Sequence, residues 1–253
     1  MRIIELKEEV RVKKTKKAFR FLLLLVFLIL GIFLIYVNDD YDANEQALAA
    51  LESDEIIQVT GNDPLYFSSA QPKENQTGII FYPGGKVEYE SYAPLMRQLA
   101  EEGYAVFLVD VPFGLAVFDI KAAKEVMADY PEISNWYVAG HSLGGSMAAI
   151  YAEEANDRLA GLILLASYST ADLSKTELNV LSIYGSEDTV LNSQSVKENR
   201  SLLPEDHNEI IIEGGNHAQF GNYGEQAGDG EATISTEEQQ RATVEAITNL
   251  LNE

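Results

Sequence analysis

Residues 135–154 read NWYVAGHSLGGSMAAIYAEE. The opening NWYVA is an apolar, aromatic run that favours a buried strand, and the small residues from Leu143 onward favour a helix. Between them, Gly140-His141-Ser142-Leu143-Gly144 matches the G-x-S-x-G pattern of a sharp strand-to-helix turn. Such a turn exposes the hydroxyl of Ser142, and the glycines on either side allow strand and helix to approach closely. The stretch therefore predicts a sheet covered by helices, with Ser142 as a candidate nucleophile.

The chain on both sides of this turn alternates between short apolar runs and helical patterns. Strand patterns occupy 55–60, 65–69, 78–82, 104–111, 135–139, 159–166, 180–184 and 209–212, and helical patterns occupy 91–102, 117–129, 143–154, 193–203 and 236–251. Strands that are apolar on both faces and alternate with helices are typical of a parallel sheet covered on two sides. We therefore predict one α/β domain over 55–253, built on a doubly wound, mostly parallel sheet. The insertions between strands are short, so no large lid is expected.

A serine hydroxyl needs a base to act as a nucleophile, and the chain has three histidines. His141 precedes the serine on the turn, so its side chain is expected to point away from the hydroxyl. His207 lies before the eighth predicted strand, at the wrong edge of the sheet. His217 follows that strand, and parallel sheets carry their chemistry at the carboxyl ends of strands. We therefore predict His217 as the general base, the alternative being an exposed loop histidine.

The base in turn needs a carboxylate that holds its tautomer and stabilises the imidazolium. The seventh predicted strand is followed by GSEDTV, residues 185–190. Asp188 lies in this turn, at the carboxyl end of the strand, and is the predicted partner of His217. The alternatives are its neighbour Glu187 and the more distant Asp172, which follows the sixth strand. Each of these carboxylates could instead lie on the surface without a catalytic role.

The order Ser142, Asp188, His217 along the chain is that of the α/β-hydrolases. With the runs GHSLGG, YGSED, GGNHAQFG and YPGGKVEYESYAPL, residues 55–253 resemble the α/β-hydrolase superfamily. The likeness is greatest to its compact bacterial branch, described as dienelactone-hydrolase-like or alpha/beta hydrolase 5, although dienelactone hydrolases proper use a cysteine and this chain has none. The resemblance implies a serine hydrolase that forms an acyl-enzyme and requires no metal or cofactor.

Two backbone N–H groups are the predicted oxyanion hole. The N–H of Leu143 lies at the start of a helix, where it can point at a developing negative charge. The run YPGGKV fills the place of the family's oxyanion loop, but it has Pro83-Gly84 where the common pattern is His-Gly. The resemblance therefore implies Gly85 N–H as the second donor, with Lys86 as the fallback.

The N-terminal part of the chain has a different character. Residues 21–37, FLLLLVFLILGIFLIYV, are 17 uncharged residues, which as a helix span about 25 Å of a hydrocarbon core of about 30 Å. Residues 1–20 hold eight basic and three acidic residues, whereas 21–253 hold ten basic and 37 acidic ones. Because basic residues favour the cytoplasmic side, we predict a basic cytoplasmic head (1–20), a transmembrane signal-anchor (21–37) and an acidic stalk (38–54), with the domain outside the cell. A cleaved signal peptide and a cytoplasmic tethered enzyme are the alternatives.

Composition excludes several classes of function. The net charge of −22 disfavours nucleic acid as a partner, and the absence of cysteine excludes disulfides, thiolate metal sites and a cysteine nucleophile. The glycine- and acid-rich run 221–235 lacks EF-hand spacing and is predicted to be a structural loop, with calcium binding or a place at the substrate mouth as alternatives. Tyr89, Tyr92 and Phe113 are aromatic residues that either wall an acyl pocket or pack the core.

These observations together predict a single-pass cell-membrane enzyme whose catalytic domain is extracellular. The expected reaction is hydrolysis of a carboxylic ester, with a small-molecule or lipid-like acyl ester as substrate. An acyltransferase with the same three residues is one alternative. A non-catalytic binding module with the same fold is the other.

Overall fold

The structure is a computed structural model that describes residues 2–37, 39–72 and 76–252. It contains two compact units, Met1–Asp40 and Tyr41–Glu253. The first unit is built on one helix, α1 (Arg2–Val37). Its segment Phe19–Val37 is long and apolar enough to cross a membrane, a property that it shares with signal sequences.

The second unit is built on one eight-stranded sheet in the order β1-β2-β4-β3-β5-β6-β7-β8. The first two strands pair antiparallel, β2 pairs antiparallel with β4, and every pairing from β4 to β8 is parallel. All eight predicted strands are present, and the mostly parallel sheet is confirmed. The strands are β1 (Ile57–Thr60), β2 (Leu65–Ser69), β3 (Thr77–Tyr82), β4 (Ala105–Leu108), β5 (Asn135–His141), β6 (Gly161–Leu165), β7 (Asn179–Gly185) and β8 (Asn208–Ile212).

Helices cover both faces of this sheet, as the prediction of a doubly wound fold requires. Because side chains alternate along a strand, Ile79 and Phe81 of β3 enter one core, while Ile80 and Tyr82 enter the other. The first core is closed by α3 and α7, and the second by α4 and α5. The helices of this unit are α2 (Glu45–Ala49), α3 (Ala93–Glu101), α4 (Ala122–Asp129), α5 (Leu143–Glu154), α6 (Ser193–Asn199) and α7 (Thr236–Leu251).

Helix α4 starts five residues later than its sequence pattern predicts. The pattern places a helix over 117–129, but α4 begins at Ala122, and Ala116–Phe118 forms a separate 3₁₀ turn. The side chains of Val117 and Phe118 are exposed, and the buried face of α4 begins at Ala123. The predicted helix begins too early because Val117 and Phe118 are apolar, as residues of its buried face would be, whereas both are exposed.

Part of the acidic segment predicted as a stalk packs within the second unit. Tyr41 forms a β-bridge with Val87. Its N–H donates to the carbonyl of Lys86 at 2.8 Å, and its carbonyl accepts the N–H of Glu88 at 3.0 Å. Helix α2 follows, capped by the side chain of Asn44. The compact unit that contains the sheet begins at Tyr41, within the segment predicted as the stalk.

Candidate active site

Ser142 lies at the turn between β5 and α5. Its backbone has φ 51° and ψ −121°, a conformation that side-chain-bearing residues rarely adopt. Two hydrogen bonds hold it there, from the Ser142 N–H to the carbonyl of Leu165 at 2.9 Å and from the hydroxyl of Ser167 to the carbonyl of Ser142 at 2.7 Å. The turn is therefore a strained strand-to-helix elbow that is stabilised from the neighbouring strand β6.

The glycines of the motif are required by close backbone approach. A Cβ at Gly144 would lie 2.2 Å from the carbonyl oxygen of Pro83, and one at Gly140 would lie 2.5 Å from the carbonyl carbon of Gly144. Real Cβ atoms do not tolerate such distances. The glycines of the G-x-S-x-G pattern are thus needed because α5 packs closely against β5 and the end of β3.

His217 and Asp188 are brought together by the loops that follow β8 and β7. Nδ1 of His217 lies 2.9 Å from Oδ2 of Asp188, and both side chains are buried. The other oxygen of Asp188 accepts the N–H groups of Val190 at 3.0 Å and Leu191 at 2.8 Å. The carboxylate therefore accepts a hydrogen bond from Nδ1–H of His217, the tautomer that leaves the lone pair at Nε2. That Nε2 is buried, and it has no hydrogen-bond partner within the part of the chain that the structure describes.

The alternative histidines and carboxylates lie elsewhere. His207 bonds through Nδ1 to the carbonyl of Pro204 at 2.7 Å, in the turn that precedes β8. Asp172 accepts a surface hydrogen bond from Ser174. The carboxylate of Glu187 accepts a hydrogen bond from the hydroxyl of Ser186 at 3.0 Å. Of the candidates, His217 and Asp188 are the pair that the structure brings together.

Ser142 and His217 both line a cavity of about 250 Å³. Its other walls are the side of α5 and the loops that follow β6 and β7. Tyr89, Tyr92 and Phe113 are not among its lining residues, so the interpretation of these aromatics as pocket walls is not supported. The residues that line the cavity are Ser142, Leu143, Ser146, Ala166, Ser167, Tyr168, Val190, Leu191, Asn192 and His217.

The loop after β3 lies against the start of α5. A Cβ at Gly85 would lie 3.0 Å from Cδ2 of Leu143, so the two predicted oxyanion donors are neighbours. The N–H of Gly84 is used in a hydrogen bond to the hydroxyl of Tyr92 at 3.0 Å, and the N–H of Lys86 in one to the carbonyl of Gly114 at 2.9 Å. The N–H of Gly85 has no acceptor among the described residues. This geometry favours Gly85 over Lys86 as the donor.

A buried hydrogen-bond chain, which sequence reasoning missed, links this loop to His217. The hydroxyl of Tyr92 lies 2.8 Å from Nδ1 of His141, and Nε2 of His141 lies 3.1 Å from the carbonyl oxygen of His217. A carbonyl can only accept, so Nε2 of His141 carries the proton and Nδ1 accepts from Tyr92. The chain therefore runs from the Gly84 N–H through Tyr92 and His141 to the backbone of His217.

The protonation states of His141 and Tyr92 are consistent with the hydrogen bonds that they make. Burial, together with repulsion by a charged His217, holds the pKa of His141 well below its ordinary value, against the opposing effect of the bond to the His217 carbonyl. Burial raises the pKa of Tyr92, so its hydroxyl stays protonated and can donate. Both groups are therefore neutral at pH 7, as the hydrogen-bond pattern requires.

Two further side chains, also missed from the sequence, hold the loop that carries His217. The amide of the buried Gln239 accepts the N–H of Asn216 at 2.9 Å and donates to the carbonyl of Asn216 at 2.8 Å. Asp229, from the acidic run 221–235, accepts the N–H of Ala218 at 2.9 Å. The acidic run 221–235 thus helps to hold the loop that carries His217. Among the described residues no group of three or more carboxylates and imidazoles is placed to hold a metal ion.

A larger cavity, of about 590 Å³, lies beside the same loop. Asn216, Ala218 and Gln219 line it, but neither Ser142 nor His217 does. Its walls are mainly amides, carboxylates and glycines, without a nucleophile and base together. Of the two cavities, the smaller one is therefore lined by the predicted nucleophile and the predicted base.

Backbone strain is concentrated around the smaller cavity. Four residues other than glycine have positive φ in the described part of the chain, namely Lys86, Phe113, Ser142 and Ala166. Ser142 and Ala166 line the cavity, and Lys86 lies in the loop after β3. Strained conformations of this kind persist where function or packing requires them.

Comparison with known proteins agrees with this architecture. The family model described as "Alpha/beta hydrolase family" matches residues 78–241. Comparison with curated protein sequences finds no match. Among solved structures, a predicted CIB-like hydrolase from Thermoplasma acidophilum aligns with a TM-score of 0.52 and 19% identity, over 76% of this chain and 99% of the other.

Two solved enzymes of other named activities are also similar in fold. The carboxyl esterase 2 of the fungus Tuber melanosporum gives a TM-score of 0.60 at 14% identity, over 83% of this chain and 89% of the other. The monoacylglycerol lipase of Paleococcus ferrophilus gives a TM-score of 0.56 at 14% identity, over 68% of this chain and 94% of the other. At such identities the likeness concerns the fold, while the family model covers more than half of the sequence. The chain therefore belongs to the alpha/beta hydrolase family.

Proposed function

We propose that this hydrolase cleaves carboxylic esters, with Ser142 as nucleophile, His217 as general base and Asp188 as the carboxylate that orients it. One observation carries the proposal. The buried Nε2 of His217 has no partner within the described chain, while Nδ1 is held by Asp188, and His217 lines the same cavity as Ser142. A base with a free ring nitrogen that lines the same cavity as a strained serine is the arrangement that acyl transfer needs.

The proposed reaction proceeds in two halves. The oxygen of Ser142 attacks the ester carbonyl while Nε2 of His217 takes its proton, and Asp188 stabilises the imidazolium. The N–H groups of Leu143 and Gly85 bind the oxyanion of the tetrahedral intermediate. His217 then protonates the departing alcohol, which leaves an acyl ester on Ser142. A water molecule, deprotonated by His217, attacks that ester and releases the acid and the free serine.

The size of the cavity supports an acyl group of small or medium length. Its volume of about 250 Å³ is just below the range of about 300–1,000 Å³ typical of small-molecule pockets. Val190 and Leu191 supply apolar wall, whereas Ser146 and Ser167 each donate their hydroxyl proton to a backbone carbonyl, that of Tyr168 and that of Ser142 respectively. The names of two solved neighbours, an esterase and a monoacylglycerol lipase, also favour an ester as substrate.

A fluorophosphonate probe tests the nucleophile directly, because it phosphonylates a serine that is activated by a base. The wild-type chain is expected to take up the label, and Ser142→Ala is expected to take up none. Ser146→Ala is the matched control, since Ser146 lies one helical turn further along α5 and lines the same cavity. It should still be labelled. Equal labelling of wild type and Ser142→Ala would contradict the proposed function.

We further propose that Phe19–Val37 anchors the enzyme in the cell membrane, with the hydrolase outside. The length and apolarity of this helix support a span, and the eight basic residues in 1–20 support a cytoplasmic N-terminus. Protease added to intact cells is expected to digest the hydrolase and leave a cytoplasmic marker protein untouched. Complete protection of the hydrolase would reverse the orientation, and its release into the medium would indicate a cleaved signal peptide.

A further inference from the structure

A buried hydroxyl beside the nucleophile has no part in the proposed reaction. It belongs to Ser167, which follows β6, is 2% exposed and lines the cavity shared by Ser142 and His217. The hydroxyl donates to the carbonyl of Ser142 at 2.7 Å, and the usual length of an O–H···O hydrogen bond is about 2.7–2.8 Å. The one proton of this hydroxyl is thus used to hold the backbone of the proposed nucleophile.

The carbonyl of Ser142 is held mainly by this bond. Ser142 precedes the first residue of α5, so its carbonyl also accepts the N–H of Ser146, four positions further along the chain. That helical bond is long, at 3.3 Å, compared with about 2.9–3.0 Å for a typical N–H···O bond. The shorter bond from Ser167 therefore sets the direction of the carbonyl.

The direction of this carbonyl also determines that of the Leu143 N–H, because the two groups belong to one peptide. The Ser142–Leu143 bond is trans, and the C=O and N–H of a planar trans peptide point in opposite directions. Leu143 is the first residue of α5, so no carbonyl of the helix can accept its N–H. A hydroxyl that fixes the Ser142 carbonyl therefore fixes the proposed oxyanion donor.

Gly145 leaves room for this contact. It is the last glycine of GHSLGG and lies outside the G-x-S-x-G pattern of the turn. A Cβ at this position would lie 2.7 Å from Cβ and Oγ of Ser167, and equally close to the carbonyl oxygen of Gly140. A larger residue would therefore push α5 away from Ser167, so the second glycine of the pair is explained by the approach of this side chain.

The backbone that leads to Ser167 is strained. Ala166 has φ 46°, in the left-handed region that residues with a side chain rarely adopt. On one side of it, the carbonyl of Leu165 accepts the N–H of Ser142 at 2.9 Å, and on the other the hydroxyl of Ser167 holds the Ser142 carbonyl. The end of β6 thus holds both backbone groups of the proposed nucleophile, and strain of this kind persists where the surrounding structure requires it.

We propose that Ser167 is a positioning residue, whose hydroxyl holds the Ser142–Leu143 peptide so that the Leu143 N–H is aimed at the oxyanion. The proposal rests on the proposed esterase function and adds a group that acts through the backbone. A hydrogen bond to the oxyanion is strongest in the transition state, where the negative charge has developed. Loss of its direction should therefore lower kcat and leave KM nearly unchanged.

Ser167→Ala and Ser169→Ala form a matched pair of variants. Ser167→Ala costs little structurally, because the Ser142 carbonyl keeps the N–H of Ser146 as a partner. Ser169 is also buried, and its hydroxyl accepts the N–H of Ala171 at 3.1 Å and donates to the carbonyl of Ala171 at 2.8 Å. It is not among the residues that line the cavity. A purely structural role would thus make Ser169→Ala the more harmful of the two.

Both variants are assayed as detergent-solubilised full chains on p-nitrophenyl acetate. We expect kcat to fall at least about tenfold in Ser167→Ala, with KM within about threefold of wild type, since a misdirected oxyanion donor loses transition-state binding. Ser169→Ala should keep both constants within about twofold of wild type. Urea unfolding shows whether each variant is folded under the assay conditions.

A thionoester tests whether the loss concerns the oxyanion. In p-nitrophenyl thionoacetate, sulfur replaces the carbonyl oxygen and is a weaker hydrogen-bond acceptor, so its cleavage depends less on the donor. The ratio of kcat/KM for the oxygen ester to that for the thionoester should fall at least about fivefold in Ser167→Ala and stay unchanged in Ser169→Ala. Ser167→Cys, whose thiol is a weaker donor, should lower the ratio in the same direction.

The outcomes separate this inference from the proposed function. An unchanged kcat in Ser167→Ala, or an equal loss on the two esters, would refute the positioning role while the wild type remains an esterase. If Ser167→Ala proves unfolded, an unchanged ratio in Ser167→Cys would refute it in the same way. A wild-type chain that neither cleaves these esters nor takes up the fluorophosphonate probe would overturn both proposals.

Discussion

Replacement of Tyr92 by phenylalanine should damage stability and catalysis together. The hydroxyl of Tyr92 accepts the N–H of Gly84 at 3.0 Å and donates to Nδ1 of His141 at 2.8 Å, all within the buried core. In Tyr92→Phe these two groups stay buried and lose their partner. A buried polar group left unpaired costs about 1–3 kcal/mol, so for these two groups we expect a loss of roughly 2–6 kcal/mol in the free energy of unfolding.

Tyr82 supplies a matched control. Its hydroxyl is also buried, accepts the N–H of Ala123 at 2.9 Å and donates to the carbonyl of Ile120 at 2.8 Å. It lies in the core on the opposite face of the sheet from Tyr92. Tyr82→Phe should therefore cost a similar amount of stability, because it also removes one hydroxyl and leaves two partners unsatisfied.

Activity should separate the two variants. The released Gly84 peptide adjoins Gly85, so Tyr92→Phe is expected to misplace the proposed oxyanion donor and to lower kcat at least about tenfold, with KM little changed. Tyr82→Phe should keep kcat within about twofold of wild type. Both variants would be assayed on p-nitrophenyl acetate at a temperature where urea unfolding of the detergent-solubilised full chain shows them folded. Equal kcat losses at equal stability, or unchanged kcat in Tyr92→Phe, would refute the positioning role.

Three other predictions concern the triad, the elbow and pH. Asp188→Asn should lower kcat about 10⁴-fold and slow fluorophosphonate labelling, with far-ultraviolet circular dichroism unchanged. Gly144→Ala should abolish the cooperative urea-unfolding transition of the domain, because its Cβ would lie 2.2 Å from the Pro83 carbonyl. Since the pKa of buried His141 is depressed, the unfolded chain binds a proton below pH about 6.5 that the folded chain does not, so stability falls as pH falls. For this one group the loss in the free energy of unfolding between pH 7.5 and 5 is at most about 2 kcal/mol. In His141→Gln, the free energy measured by urea unfolding should therefore fall less steeply with pH over that window than in the wild type. An equally steep fall in the variant would contradict this assignment.

Much of the fold could be predicted because its signals are local. The run at 135–154 contains a buried strand, a turn that only glycine permits and a helix of small residues, and each depends on neighbours in the sequence. The bounds of β2, α5 and α7 match the predicted ones for the same reason. At 117–121 the prediction was wrong, because exposed Val117 and Phe118 carry the same apolar signal as buried residues.

The predicted site residues followed from topology, since the carboxyl ends of parallel strands share one edge and the loops there carry Ser142, Asp188 and His217. The connection from Tyr92 through His141 could not be found in this way. Tyr92 and His141 are 49 positions apart, and His141 and His217 are 76 apart. In the sequence, Tyr92 is simply a tyrosine in a helical pattern and His141 a histidine at the end of an apolar strand.

One signal in the sequence did bear on this connection. Side chains two apart on a strand share a face, so Tyr137, Ala139 and His141 of β5 lie on the face covered by α3 and α7, where Tyr92 also packs. A buried histidine on that face must satisfy two ring nitrogens, and that requirement predicts a hydroxyl and a carbonyl nearby, although not which ones. The motif around Ser142 therefore determines the position of the proposed nucleophile locally. The distance between the proposed oxyanion loop and the proposed base depends instead on buried hydrogen bonds whose partners only the folded chain brings together.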